Sequence, residues 1–359
     1  MIGDTWSHIQ RVMEYACAGV SFALNSFLVF LILRHSPKTL GPYKYLMMYI
    51  SVFELFYSIM NVIVSPIFHS YGSTFLVMVN VKESMFDLKT CLLLASIYCG
   101  CFGSSMAIFG IHFIYRYLIV TGSNLLGTFQ TWKITVWFLI PIIYGAIWGS
   151  MAYGPVGQKP ATGEHIRKNI METFGLEVNE TAYIGPYFYQ EKPDGKFEID
   201  ISSIVASSVV YFIVSSSFYT IIYFGVKCYS KIRELTPSSN AFKSRAMQSK
   251  LFWALVIQTL IPVVLLHLPV SIVYAFALLD KDIGMLSGLV SITIAAYPAV
   301  DPLPTLLIIP HYRAAFLYYL RCCKGTIHVG DDETSNSRQI ELSNVSHSRV
   351  VPLPQHLDT

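Results

Sequence analysis

The chain has 359 residues, of which 53% are hydrophobic and only 13% are charged, and its formal net charge is +3. A water-soluble protein of this size with so few charges would lack polar surface, so many apolar side chains are expected to face lipid. The small and dispersed positive charge does not provide the basic face that a nucleic-acid partner requires.

Seven apolar runs of about 20 residues, the length that crosses roughly 30 Å of hydrocarbon, follow one another along the chain. They cover approximately residues 13–33, 45–66, 91–115, 133–153, 203–226, 251–277 and 286–309. The first run lacks the basic start and short apolar core of a cleavable signal peptide, so we expect an uncleaved signal-anchor. The sequence therefore predicts an all-α integral membrane protein, built as a bundle of seven transmembrane helices.

The distribution of basic residues predicts the orientation of the bundle. Lysines and arginines flank the first, third and fifth connections, whereas the fourth connection, 154–202, carries eight acidic residues against five basic ones. Positive residues resist translocation, so the basic connections are expected in the cytosol, with 154–202 and the N-terminus outside. Asn179 lies in an N-x-T sequon of this outer connection, which makes it a candidate glycosylation site, although such triplets are also common by chance.

After the seventh run, the segment PHYRAAFLYYLRCCK alternates aromatic and basic residues. We predict a short amphipathic helix at about 310–321 on the inner leaflet. Cys322 and Cys323 are either palmitoylation sites or free cytosolic thiols. The receptor domain is thus expected to cover 1–321, and the polar, Ser-rich segment 322–359 to be a disordered cytoplasmic tail.

Four ionisable residues, Glu54, His112, His267 and Asp301, fall within the runs, and each needs a polar neighbour or a function. Asp301 stands in YPAVDPLPTLL, where three prolines loosen the helix. Three interpretations of Asp301 stay open: a water or sodium cluster, a proton shared with a partner such as Glu54, or a protonated Asp hydrogen-bonded within the bundle.

The third run carries a polar stripe that ends at a cation. Tyr98, Cys101, Ser105, His112 and Arg116 share one helical face. Arg116, in HFIYRY, either snorkels to the interface or pairs with a neighbouring helix. Prolines divide the sixth run, and a basic segment at 227–250 joins it to the fifth, so its inner end can swing.

In the outer half, aromatic and polar residues of several runs predict a mostly apolar pocket for a small molecule, although aromatic stripes also serve packing. His267, Ser271 and Tyr274 share one face of the sixth run. The candidate ligand-binding residues are Tyr98, Phe102, Tyr153, His267, Ser271, Tyr274 and Tyr297.

The chain lacks the motifs of known catalytic chemistries. No Ser-His-Asp order, H-E-x-x-H, Walker loop or G-x-G-x-x-G stands in a supporting context. The seven cysteines form no disulfide framework, and Cys99 and Cys101 lack the further ligands of a zinc site. We therefore predict no enzyme activity, no catalytic residue, no cofactor and no metal.

Five blocks occur in order between about residues 10 and 321: GPYKYLMMYISVFELFYSI, SPIFHSYGSTF, HFIYRYL, KLFWALVIQTLIP and YPAVDPLPTLLIIPHYR. Together they resemble the nematode serpentine chemoreceptors of the Str type, the group that includes serpentine receptor class r, the olfactory receptor for diacetyl. The resemblance implies a G-protein-coupled-receptor-like bundle that binds an odorant, in the plasma membrane of a chemosensory neuron's cilium.

The same resemblance assigns roles at the cytosolic end. Arg116 and Tyr117 match the second and third positions of the Asp-Arg-Tyr triplet of the wider receptor class, while Tyr115 stands in place of its acidic residue. The disulfide that usually joins the third helix to the second outer loop cannot form, because 154–202 has no cysteine to pair with Cys91. The residues expected to switch the receptor and couple it to a G protein are His112, Arg116, Tyr117, Lys243, Arg245 and Lys250.

The leading hypothesis is an olfactory G-protein-coupled receptor whose partners are a small-molecule odorant, a heterotrimeric G protein and the lipid bilayer, with a homo- or hetero-oligomer left open. One alternative is a seven-helix, ligand-gated cation channel of the insect odorant-receptor type, which has its N-terminus inside. Another is a transporter that uses Glu54 and Asp301 as coupling carboxylates, although no repeat relates the two halves of the sequence.

Overall fold

A computed structural model of the chain describes residues 2–325 except 38–39, 193–194, 235–238 and 282, and it leaves the side chains of 2–7, 239–245, 285 and 322–325 undescribed. Within these residues, seven helices are long and apolar enough to cross a membrane, as the sequence predicts. These spans are His8–His35, Tyr43–Val64, Leu88–Thr121, Thr131–Tyr153, Ile201–Glu234, Ala246–Leu278 and Leu286–Ile308.

The helices have the following bounds. The first four spans are formed by α1 (Ile2–His35), α2 (Tyr43–Val64), α3 (Leu88–Thr121) and α4 (Ile134–Tyr153). A helix of the fourth connection, α5 (Pro160–Phe174), precedes the fifth span, α6 (Ile201–Glu234). The last two spans are interrupted. The sixth comprises α7 (Ser239–Pro262), a π-helical turn (Val263–His267) and α8 (Leu268–Leu278). The seventh comprises α9 (Leu289–Val300) and α10 (Pro302–Ile308). Helix α11 (Pro310–Gly325) follows at the position predicted for the amphipathic helix.

Prolines account for the interruptions, because a proline has no N–H to donate and its ring displaces the preceding turn. Pro262 ends α7, and the π-helical turn follows it directly. Pro302 likewise begins α10 immediately after Asp301. Both interruptions therefore lie beside buried polar residues, His267 in the sixth span and Asp301 in the seventh.

Helix α3 occupies the centre of the bundle, and small residues let α4 approach it closely. A Cβ atom built on Gly100 would lie 2.6 Å from the carbonyl oxygen of Gly145, and one built on Gly149 would lie 2.9 Å from that of Ser96. Gly145 and Gly149 form a G-x-x-x-G pair on α4, a spacing that brings membrane helices into backbone contact. Small side chains at this interface are thus a requirement of the fold.

A three-stranded antiparallel sheet covers the outer end of the bundle. It contains β1 (Ile67–Tyr71), β2 (Thr74–Asn80) and β3 (Thr181–Ile184), in that order. Alternate residues of β2 face opposite ways: Phe75 and Val77 pack on the bundle, whereas Leu76 and Met78 pack against α5. A short hairpin, β4 (Tyr189–Glu191) with β5 (Phe197–Ile199), follows in the chain.

The fourth connection is attached at both ends without a disulfide. Cys91 is a free thiol, and the pairing of β3 with β2 joins the connection to the strand that precedes α3. At the start of α6, Asp200 accepts hydrogen bonds from Ser203 and, at 2.9 Å, from Lys159 Nζ. Burial alone would raise the pKa of Asp200, but the hydrogen bonds from Ser203, Lys159 and Ser202 lower it below its ordinary value.

Candidate functional site

A cavity of about 390 Å³ lies in the outer half of the bundle, directly beneath the sheet. Helices α3, α4, α6 and α8 form its walls, and β2 and the segment after β3 form its cover. The lining is largely aliphatic and aromatic, with a few polar groups from His267, Ser207, Ser271 and Tyr274. Such a lining suits a small, sparingly polar molecule.

Four of the seven predicted ligand-binding residues line this cavity: Phe102, His267, Ser271 and Tyr274. The rings of Phe102 and His267 meet edge to face with their centroids 4.5 Å apart. His267 Nε2 lies 3.3 Å from Ser105 Oγ, which orients the imidazole from the floor of the cavity. Tyr274 donates a hydrogen bond from its hydroxyl to Ser207 Oγ of α6.

The structure separates the other three predicted residues from the cavity. Tyr98 is fully buried and donates a 2.8 Å hydrogen bond to Asn61 Oδ1 of α2. Tyr297 is also buried, with its ring centroid 6.2 Å from that of Tyr57. Tyr153 is 55% exposed on the outer surface of α4. Tyr98 and Tyr297 thus pack between α2, α3 and α9 and do not line the cavity.

Sequence reasoning did not identify several residues of the wall. Trp148 of α4 packs on Phe102 with a centroid separation of 5.3 Å, and Cys99 lies beside it on the cavity wall. Ser207 and Tyr211 of α6 line the opposite wall. Serines occur all around α6, so its sequence does not indicate which face is internal. The covering residues Phe75, Val77 and Ile184 come from strands whose pairing the sequence does not reveal.

The two carboxyl groups predicted inside the membrane meet deeper in the bundle. Glu54 and Asp301 are both buried and are in hydrogen-bond contact with each other. Gln258 Nε2 of α7 donates a 2.7 Å hydrogen bond to Asp301 Oδ2. A proton shared between them would relieve the strong repulsion of two adjacent carboxylates in an apolar interior. The contact with Glu54 agrees with the shared-proton interpretation of Asp301, the hydrogen bond from Gln258 agrees with the hydrogen-bonded one, and the choice among the three stays a prediction.

Arg116 lies at the inner end of α3 and is only 2% exposed, so it does not snorkel. Its guanidinium lies 3.6 Å from the centroid of the Tyr43 ring of α2, a cation–π contact. Its Nη1 donates a 3.3 Å hydrogen bond to Gln248 Oε1 of α7. Tyr115, which replaces the acidic residue of the triplet, stacks on the Tyr43 ring with the centroids 5.5 Å apart. Arg116 therefore connects the second, third and sixth spans.

The remaining predicted switch residues lie around this contact. His112 packs edge-on against Tyr43 with a centroid distance of 5.6 Å, and Tyr117 packs against Phe224 of α6 at 5.5 Å. Lys250 is exposed on α7. Lys243 and Arg245 lie on the first turns of α7, but their side chains are outside the described residues.

The modification sites stay predictions. Asn179 is exposed in a 3₁₀ turn (Val178–Glu180) just before β3, where an attached glycan would meet no packed surface. Cys322 and Cys323 fall in the last turns of α11, where side chains are not described, and the predicted tail from 326 onward lies outside the described residues.

Seven spans, a cavity in the outer half and a buried arginine at the inner end of the third span make up the fold of a G-protein-coupled receptor. The crystal structure of squid rhodopsin shares this fold, with a TM-score of 0.57 over 92% of this chain and 89% of rhodopsin, at 12% sequence identity. Residues 10–317 match the family described as serpentine type 7TM GPCR chemoreceptor Str, and the chain belongs to that family. The resemblance seen in the sequence blocks is thereby confirmed.

Two curated relatives from Caenorhabditis elegans match nearly end to end. The G-protein coupled receptor str-217 is 32% identical, with 94% of this chain and 98% of the relative covered. Serpentine receptor class r-10 is 28% identical, with 96% of this chain and 99% of the relative covered. The chain is thus a multi-pass membrane protein of a chemoreceptor family.

Proposed function

We propose that this protein is an olfactory receptor that binds a small odorant in the outer cavity and activates a heterotrimeric G protein at the inner ends of α3, α6 and α7. The single observation that carries the proposal is the cavity itself. Its volume of about 390 Å³ lies within the range of small-molecule sites, and its lining is apolar with a few hydrogen-bonding groups. We place the receptor in the plasma membrane of a chemosensory neuron's cilium.

The positions of His267 and Gln248 suggest how binding affects the inner end. His267 lies on the cavity wall and within the π-helical turn of the sixth span. Gln248, near the inner end of the same span, accepts the hydrogen bond from Arg116. An odorant that contacts His267 more favourably in one position of the sixth span shifts the equilibrium toward that position. Movement of α7 away from Arg116 would then open a cleft for the G protein.

A panel of small odorants applied to cells that express the receptor with a calcium reporter tests this function. We expect dose-dependent responses to one or more odorants and loss of those responses in cells that lack every G-protein α subunit. Responses that persist without any α subunit would refute the coupling mechanism.

A variant of the cavity wall adds a residue-level test. His267→Ala removes the ring that contacts Phe102, so we expect the half-maximal odorant concentration to rise by about tenfold or more. His311→Ala is the matched control, because His311 is an exposed histidine at the inner end of the bundle. Equal sensitivity of the two variants would remove His267 from the binding site.

A further inference from the structure

The cavity is covered on its extracellular side. Phe75 and Val77 of β2 and Ile184 of β3 face the cavity, and all three are buried. Gly185, which follows β3, has a φ of +148°, and a Cβ atom on it would collide with the carbonyl oxygen of Phe75. The chain thus packs backbone against backbone at this point. The sheet and the segment after β3 therefore cover the extracellular side of the cavity.

Helix α5 closes the sheet from its other face. Ile166 and Ile170 of α5 are fully buried against Leu76 and Met78 of β2. The cover therefore has two layers, strand and helix, joined by an apolar core. Opening it would expose that apolar core to water, which is unfavourable.

The cavity is open at its side, between α6 and α8. Tyr211 of α6 lines the cavity yet is 75% exposed, and Leu278 of α8 lines it with 40% exposure. Ser271 and Ala275 also line the cavity and are exposed, and together with Leu278 they share one face of α8. The backbones of α6 and α8 approach each other at few points. The hydrogen bond from Tyr274 to Ser207 crosses this opening.

The opening lies at a depth where the bundle meets lipid. Tyr211 is ten residues after the start of α6 at Ile201, which places it about 15 Å along the helix. The exposed residues beside the opening are apolar: Phe212 and Val205 on α6 and Ile272 on α8. In a membrane protein, exposed apolar side chains of this kind contact acyl chains.

From these observations, and resting on the proposed odorant-binding function, we propose that ligands enter the cavity laterally from the outer leaflet through the opening between α6 and α8. The ligand class is accordingly a small, apolar molecule that partitions into the bilayer and carries one hydrogen-bonding group for His267, Ser271 or Tyr274. The bilayer concentrates such molecules at the opening, so at equal aqueous concentration their entry rate rises with their partition coefficient.

Straight-chain 2-ketones of increasing length are suitable probes, because their carbonyl group quenches indole fluorescence and Trp148 lies on the cavity wall. The receptor in lipid nanodiscs is mixed rapidly with each ketone, and the signal of Trp148→Phe is subtracted. We expect the onset of Trp148 quenching to become faster with chain length.

Paired variants at the opening test the route. Ala275→Phe adds bulk in the opening and should slow the onset on the order of tenfold, whereas Ile272→Phe, on the same exposed helix side but not on the cavity wall, should not. Tyr211→Ala should speed the onset relative to Phe212→Ala, whose side chain is exposed but does not line the cavity.

The possible outcomes distinguish the lateral route from the proposed function. Equal onset rates in Ala275→Phe and Ile272→Phe would overturn the lateral route, whether or not the receptor signals. Slower quenching in Ala275→Phe without any G-protein response to odorants would support the route and overturn the proposed function. No Trp148 quenching by any ketone would contradict both.

Discussion

Arg116 is permanently charged, yet it is held away from solvent by two neutral partners, the Tyr43 ring and the Gln248 amide. A desolvated cation–π contact contributes about 2 kcal/mol, and a hydrogen bond to a charged group contributes about 1.5–3 kcal/mol. In the absence of an acidic residue at 115, these contacts replace an ion pair within α3. They hold the inner end of the sixth span against the third.

Gln248→Ala removes the hydrogen bond from Arg116, which of these two contacts is the one that joins Arg116 to the sixth span. Because a resting contact is lost while Arg116 is kept, we expect ligand-independent signalling to rise about fivefold or more at equal surface expression. Ser249→Ala, at the next position of α7, is the control and should leave basal signalling unchanged. Unaltered basal signalling in Gln248→Ala would show that this hydrogen bond does not restrain the sixth span.

At the scale of the element, the interface between α3 and α4 depends on glycine. A Cβ atom on Gly145 would lie 2.9 Å from the Gly100 carbonyl oxygen and would collide with Ser104. Neither helix can relieve this overlap by a side-chain rotation, since the opposing atoms include backbone. Separation of α4 from α3 would also displace Trp148 from the cavity wall.

Gly145→Ala is therefore expected to reduce surface expression and to lower the free energy of unfolding of the receptor by about 1–3 kcal/mol, the usual cost of overpacking. Gly19→Ala is the matched control, because Gly19 also lies within a spanning helix but a Cβ atom there meets nothing within 4 Å. Thermal unfolding in detergent measures both. A Gly145→Ala receptor as stable as the Gly19→Ala receptor would refute the close-packing account.

The outer cover contains a histidine that joins several of its elements. His165 of α5 stacks on Tyr187 at 4.4 Å and lies 5.1 Å from the Tyr71 ring of β1. Burial lowers the pKa of His165 from its ordinary value of 6.5, although the nearby carboxylates of Asp280 and Glu191 act in the opposite direction. The folded receptor thus holds this imidazole neutral at neutral pH.

This pKa shift predicts the sign of a pH effect. As the pH falls below 6.5, His165 takes up a proton in the unfolded chain before it does so in the folded receptor. The contribution of neutral His165 to the stability of the fold is therefore present above pH 6.5 and is lost as the pH falls toward the lowered pKa of the folded state. We expect His165→Gln to lessen the loss of thermal stability as the pH falls below 6.5. His8→Gln, at an exposed histidine of the outer end, should not. Identical pH profiles for wild type and His165→Gln would contradict this role.

The elements differ in how far the sequence predicts them. The seven spans follow from the lengths of the apolar runs alone, because the thickness of the bilayer fixes the length that a spanning helix needs. Helices α3 and α6 nevertheless continue past the apolar runs, to Thr121 and Glu234. The sheet was not predicted. Its register joins Met78 to Tyr183 across about a hundred residues, and such pairing is set by the packing of β2 between the bundle and α5.

The candidate site was predicted in part, for a related reason. Helical spacing correctly groups residues on one face, but it does not show which neighbouring helix that face meets. Tyr98 and Phe102 are one turn apart on α3, yet Tyr98 turns to Asn61 of α2 while Phe102 meets His267 at the cavity. Only the arrangement of the helices around α3 separates these two residues.

On the scale of the whole molecule, the sixth span joins the outer cavity to the inner contact at Arg116. Along this span, His267 lines the cavity, Gln258 bonds to Asp301 deeper in the bundle, and Gln248 bonds to Arg116 at the inner end. Between the first two, Pro262 and the π-helical turn interrupt the α-helix. A ligand-dependent change at His267 can thus affect the buried carboxyl pair and the cytosolic end through one interrupted helix.

Guanine-nucleotide exchange on a G-protein α subunit, measured with purified receptor in lipid nanodiscs and an odorant found active in cells, tests the central claim most directly. The account predicts that the odorant accelerates exchange with wild-type receptor and fails to do so with Arg116→Ala receptor that reaches the surface and binds normally. Odorant-evoked cation flux through the reconstituted protein, without any acceleration of nucleotide exchange, would contradict it.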